Sequence, residues 1–224
     1  MECFGSHSFL RARFARLDAT GAPDEGTGNL YVARAISLAV QPQYRDGSVL
    51  TQELGDGTEC VRAQGDDEII GYNGTLTICG PNPGLAEFLA GGTLYRDGTG
   101  ANAPVLGYAM PGKGDPVPAV SVEGWTYAWD GEEQAVDGTS LVFWRYVVPH
   151  AKFRIGDFTL NRSVLNVPLP FKGRQNLSLG TGPGGDLPAS IAEAGTLAWF
   201  QEPLENGTDD LPDEVCASAT LTIP

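Results

Sequence analysis

The sequence predicts an all-β fold with one short α-helix, built as two packed antiparallel sheets in a sandwich or barrel. Three observations carry this. Turn pairs recur along the whole chain, at Asp46-Gly47, Asp56-Gly57, Asn73-Gly74, Asp97-Gly98, Asp130-Gly131, Asp137-Gly138 and Asn206-Gly207. Such pairs accept the positive φ that tight turns between strands require. The segments between them alternate apolar and polar residues with a period of two. Only one stretch carries strong start and stop signals for a helix, and 30 Gly with 16 Pro suit many short connections.

The elements follow in order. Residues 8–17 alternate Leu10, Ala12 and Phe14 on one face with Arg11 and Arg13 on the other. Residues 30–41 read as one strand, with Leu30, Val32, Ile36, Leu38 and Val40 on one face, interrupted by Arg34, against Tyr31, Ala33, Ala35, Ser37 and Ala39. Its alanines make a helix the competing reading, but the period of two fits better. Further strands are expected at 74–79, 120–129, 140–155, 158–160, 164–179, 196–200 and 216–223. Pro149 should bend or split its strand, and Pro168 and Pro170 should mark an edge or a break, because proline donates no ladder hydrogen bond. The helix is expected within Pro81 to Gly92, with proline near its start, glycine just past its end, and Leu85, Phe88 and Leu89 on one face. A second short helix is expected between Pro188 and Ala194. Residues 42–59 and 96–118 read as long polar loops within a single domain of 224 residues.

The formal net charge of −14 argues against a protein that grips a phosphate backbone, since that grip comes from Lys and Arg displacing counterions. The first residues show no basic segment followed by an apolar run, so no signal peptide is expected. No apolar stretch is long enough to cross a bilayer. Cys3, Cys60, Cys79 and Cys216 lie far apart and form no C-x-x-C pair, and His7 and His150 are the only histidines. A zinc site and any other cofactor are therefore not expected. Reduced thiols are the plain reading, although Cys60 and Cys79 would be neighbours if their strands paired.

Several constellations have a functional and a structural reading. Residues 180–185 spell G-x-G-x-x-G, but a dinucleotide site needs a substantial helix next, and here Pro188 and Gly195 bound a short one. A loop is the better reading. Glu123, Asp130, Glu132 and Glu133 near Trp125 and Trp129 offer the carboxylates and aromatic platform of a glycosidase. An acidic surface hairpin explains them as well. Trp125, Tyr127 and Trp129 share one face, which suits burial more often than sugar stacking. Asp66-Asp67-Glu68 and the acids at 209, 210, 213 and 214 match no calcium loop. No serine-hydrolase elbow or phosphate-binding loop is present. No catalytic set emerges.

Three segments carry a family resemblance. These are Ile78-Cys79-Gly80-Pro81-Asn82-Pro83 running into Leu85 to Gly92, then Gly124-Trp125-Thr126-Tyr127-Ala128-Trp129-Asp130-Gly131, then Trp144 to Asp157. In this order and spacing the chain, over about residues 29 to 160, resembles the major tail (tail tube) proteins of long-tailed bacteriophages, especially those infecting actinobacteria. The resemblance implies a structural virion protein without enzymatic activity. It implies hexameric rings of this chain that stack into a tube and conduct the genome into the host. Genomic DNA would pass without specific binding, and an acidic lumen would suit that passage. Other partners would be the tape measure, tail terminator and baseplate proteins. Assembly would take place in the bacterial host cytoplasm. The family also uses a long loop between early strands to reach the next ring, which 42–59 matches best. Arg11, Arg13, Arg34, Arg45, Asp46, Gly47, Asp56 and Gly57 are accordingly candidate subunit contacts. A tail terminator, baseplate or capsid decoration protein is the near alternative. A carbohydrate-binding or glycoside-hydrolase β-sandwich is the distant one.

Overall fold

A computed structural model of the chain describes residues 5–24, 26, 28–53, 59–80, 82–98, 103–130, 133–137, 139–157, 166–205, 208, 211 and 212. The strands are β1 (Gly5–Arg16), β2 (Leu30–Ala33), β3 (Ser37–Arg45), β4 (Val49–Glu53), β5 (Glu59–Gln64), β6 (Glu68–Cys79), β7 (Thr93–Arg96), β8 (Val105–Ala109), β9 (Val120–Asp130), β10 (Glu133–Gln134), β11 (Val136–Asp137), β12 (Ser140–Phe153), β13 (Asn166–Gly173) and β14 (Ala198–Leu204). Two helices join them, α1 (Pro83–Ala90) and α2 (Ala189–Ala194). The expected strands at 158–160 and 216–223 lie outside the described residues.

Ten strands form one antiparallel sheet, ordered β2-β1-β9-β12-β13-β6-β3, with β10, β11 and β14 attached alongside. The two packed sheets that the alternation predicts are the two halves of this single sheet. β12 joins them. On one edge it pairs with β9; on the other it pairs first with β14 and then, from Ala151, with β13. The halves face each other across one core, which draws Ala12, Phe14, Val120 and Val122 from one side and Leu76, Ile78, Leu169 and Phe171 from the other. Phe14 meets Phe153 edge-on at 6.4 Å. Among the described residues no pairing joins β2 to β3, so no closed barrel is formed.

The prolines sit where the ladder can spare a donor. Pro149 lies where β12 exchanges β14 for β13, and the strand continues through it with a register shift against β9. The Pro168 and Pro170 carbonyls accept from Gly156 and Arg154 N–H at 2.9 Å. Residues in antiparallel strands direct both backbone groups to one side, so the missing N–H groups face that segment and the β6 ladder is untouched. The expected break at these prolines is absent.

Further expectations are corrected. The single strand at 30–41 is two strands, separated at Arg34–Ile36. β2 pairs with β1 and β3 with β6, at opposite ends of the strand order. The long loop at 42–59 is largely strand: β3 runs to Arg45, and β4 pairs with β5 in a hairpin. β8 likewise lies inside the expected loop at 96–118 and pairs with β7. Along β1, register shifts on both sides of Phe9 turn Phe9 onto the Ala12 and Phe14 face, and Leu10 joins a cluster with Trp125 and Phe143 instead. β5 pairs with β4, and β6 with β3 and β13, so Cys60 and Cys79 are not cross-strand neighbours.

Helix α1 forms as its sequence predicts. The Asn82 side chain accepts from Leu85 N–H at 3.0 Å, Pro83 needs no partner at the first turn, and Gly91 closes the end at φ 76°. Its buried face, Leu85, Phe88 and Leu89, seals one end of the core. Gly74 is the tightest point of the sheet. A Cβ there would lie 2.3 Å from the Phe171 ring and 2.4 Å from the Ala39 carbonyl oxygen. Gly74→Ala should therefore cost about 1–3 kcal/mol, read as a lowered urea midpoint with unchanged slope.

Candidate assembly interface

Beyond the body of the sheet, β3 and β6 continue as a pair to Arg45 and Glu68, and the β4–β5 hairpin extends from their ends. The turn that joins them is built by close backbone contact. Gly65 N–H donates to the Ser48 carbonyl, Gly47 N–H donates to the Asp67 carboxylate, and a Cβ on Gly47 would strike the Gly65 backbone at 1.8 Å. Gly47 is thus required for its lack of a side chain. Tyr44, Val49, Leu50, Ile69 and Ile70 are all exposed on this arm, Leu50 at 69%. A two-stranded ribbon gains little stability from such residues unless something covers them.

The candidate contact residues divide. Arg45 and Asp46 are exposed at the arm, and Arg45 pairs with Glu68. Such an exposed pair contributes little to stability. Arg34 is exposed at the break between β2 and β3. Asp56 and Gly57 lie outside the described residues. Arg11 is half-buried and donates to the Leu211 and Pro212 carbonyls, holding that segment against β1. Arg13 is corrected: only 7% exposed, its guanidinium is committed within the chain.

Arg13 belongs to a buried charge cluster on the outer face of the β1-β9-β12-β14 half. It pairs with Glu123, directly across the β1–β9 ladder, and with Asp186 at 3.2 Å. Arg145 reaches Glu123 at 2.9 Å, Asp186 at 2.7 Å and Glu202 at 2.9 Å. The side chains of Arg145 and Glu123 are fully buried. Both guanidiniums lie over the Trp125 ring, at 5.4 and 5.2 Å, and Trp125 Nε1–H donates to Glu202 at 2.7 Å. Two cations thus face three carboxylates. Burial works against the charge on Arg145, but Glu123, Asp186 and Glu202 outweigh it and raise its pKa further. Burial likewise opposes ionisation of Asp186, and hydrogen bonding and attraction from Arg145, then Arg13, hold it below the usual carboxylate range.

The glycine-rich run at 180–185 closes over this cluster. A Cβ on Gly184 would fall 2.5 Å from the Arg13 guanidinium and 2.8 Å from Asp186, and one on Gly182 would meet Leu187 at 2.6 Å. Gly182 holds φ at 76°, and Leu187 N–H closes the turn on the Thr181 carbonyl. Gly184 thus admits the Arg13 head, and Gly182 the Leu187 side chain. The six-residue α2 that follows gives them no dinucleotide site.

The suggested sugar platform is also absorbed. Trp125 is 2% exposed beneath the arginines, and Glu123 is held between them, out of reach of a glycosidic oxygen. Glu133 is exposed on β10. Among the described residues no group of His, Cys, Asp and Glu is placed to hold a metal ion. No helix among them is long and apolar enough to cross a membrane. No family model matches the chain, and no curated protein matches it significantly.

Proposed function

We propose that this chain is a self-assembling structural subunit of a phage tail tube, forming rings that stack into a conduit for DNA. The observation that carries the reading is the projecting β3–β6 and β4–β5 arm with its uncovered Tyr44, Leu50, Ile69 and Ile70. The arm lies at the place in the chain where the resembled family reaches its next ring. Supporting it are an antiparallel sheet with one flanking helix, and strands β2 and β3 at the two ends of the sheet order. Unpaired strand edges are templates for pairing with another chain, and closure into a ring removes them. Negative-stain electron microscopy of the purified full chain tests the reading. Tubes of stacked rings are expected. Isolated rings or trimers would favour a tail terminator, baseplate or decoration protein, and a monomer at every concentration would sink the assembly reading.

A further inference from the structure

The ends of β12 and β13 gather positive charge on a chain that is otherwise strongly acidic. Lys152 on β12 and Arg154 just beyond its end lie at alternate positions, as do Lys172 on β13 and Arg174 just beyond it. All four are exposed, and among the described residues none is ion-paired. Lys152 and Lys172 are direct cross-strand partners. Like charges directly opposite in a ladder are destabilising, so the fold gains nothing from this pair. These four belong to a total of only 14 Lys and Arg, against 28 Asp and Glu.

The surface here is concave. Two adjoining hollows of about 420 and 470 Å³ share His150, Lys152 and Arg174 in their walls. His150 is 6% exposed, and its Nδ1 has no hydrogen-bond partner. A buried imidazole nitrogen without a partner forgoes a hydrogen bond that most buried polar atoms make. The facing charged groups are Lys152 from β12, Arg154 just beyond it, Lys172 from β13, Arg174 just beyond that strand, and Asp18 from the turn after β1. The Asp18 carboxylate is already engaged by Thr20 and Ala22 N–H and the Thr20 hydroxyl. The groove therefore presents unsatisfied cations and one unsatisfied imidazole, the complement of an oxyanion.

We propose that this groove is the docking site for carboxylates on a second copy of the chain. The partner follows from charge. Copies that each carry −14 repel one another, and screening confines attraction to charges within about 10 Å at moderate salt. A face that concentrates cations is where a like-charged copy can approach. A nucleic acid would need a longer cationic track to offset the remaining acids. The proposal rests on the reading of the chain as self-assembling and names a surface apart from the arm.

Lys172→Glu is the test, because it replaces the Lys152–Lys172 repulsion with an attractive pair. The variant should melt at or above the wild-type temperature while its self-association, followed by sedimentation velocity, weakens about tenfold. Wild-type association should also weaken as salt rises. If Lys172→Glu associates as tightly as wild type at every salt concentration, the docking role is wrong and self-assembly stands. A wild type that stays monomeric throughout removes the second copy as partner and the assembly reading with it. A short duplex DNA that binds wild type and not Lys172→Glu, with self-association unaffected, would make the groove a nucleic-acid site and overturn the proposal.

Discussion

Arg145→Ala should destabilise the chain by about 3–5 kcal/mol, read as a lowered urea midpoint. Arg145 is fully buried and bonds Glu123, Asp186 and Glu202 at once. Its removal leaves Arg13 alone with three carboxylates, one of them, Glu123, without solvent contact. The uncompensated charge dominates the cost rather than the lost bonds. The combined change Arg145→Met with Glu123→Gln should therefore cost less than Arg145→Ala alone, since it removes opposite charges together. The pH dependence has a definite sign. In the wild type, Asp186 is depressed below its ordinary 3.8, so its contribution is present above that value and is lost as pH falls through the lower folded value. In the variant Asp186 loses its main cation, and its depressed folded pKa rises. The stability gap between variant and wild type should therefore narrow as pH falls through the ordinary 3.8 of that carboxyl toward its lower wild-type value. A gap independent of pH would mean that lost packing, rather than unpaired charge, sets the cost.

The same cluster shows where sequence reasoning stops. Period-two alternation marked Ala12 and Phe14 as inward and Arg11 and Arg13 as outward, and the core confirms it. That outward face is nevertheless covered, because residues 176–187 fold back over it, with Leu179 and Leu187 packing against Val147. Nothing local in the chain announces this long-range cover. The one available signal was the glycine density at 180–185, where Gly184 makes room for the Arg13 head and Gly182 for Leu187. Helix α1 was legible because its cap, its start and its stop are all local. The break at Arg34–Ile36 was not, because Arg34 interrupts only one face and the choice of partner strand, which divides it, is long-range. The arm was hidden for a related reason. Its strands are short and polar, and their apolar members face outward, so the segment reads as a loop by composition.

Replacing residues 46–67 with Asn-Gly should abolish assembly while leaving a folded chain. Arg45 and Glu68 are direct cross-strand partners, so a two-residue turn can join them without disturbing the ladder behind. The deletion removes β4, β5, the exposed Val49 and Leu50, and the Gly47–Gly65 contact, and among the described residues none of these belongs to the core. The melting temperature should stay within about 4 °C of the wild type, since 1 kcal/mol corresponds to a few degrees in a chain of this size. The acidic residues 46, 53, 56, 59, 66 and 67 depart with the segment, against one base, Arg62, so charge repulsion between copies falls, and electrostatics alone would then favour association. Loss of assembly in spite of that relief would identify the arm's contacts, rather than general surface charge, as what joins successive copies. Leu50→Asp in the intact chain separates the two contributions further. It keeps the hairpin and adds one charge at its most exposed apolar position. It should weaken assembly to a degree that high salt does not restore, because buried apolar contact is not screened. Tubes of normal length from the turn-replaced chain would exclude the arm from the interface. Failure of that chain to fold would make the arm part of the domain rather than a contact that reaches beyond it.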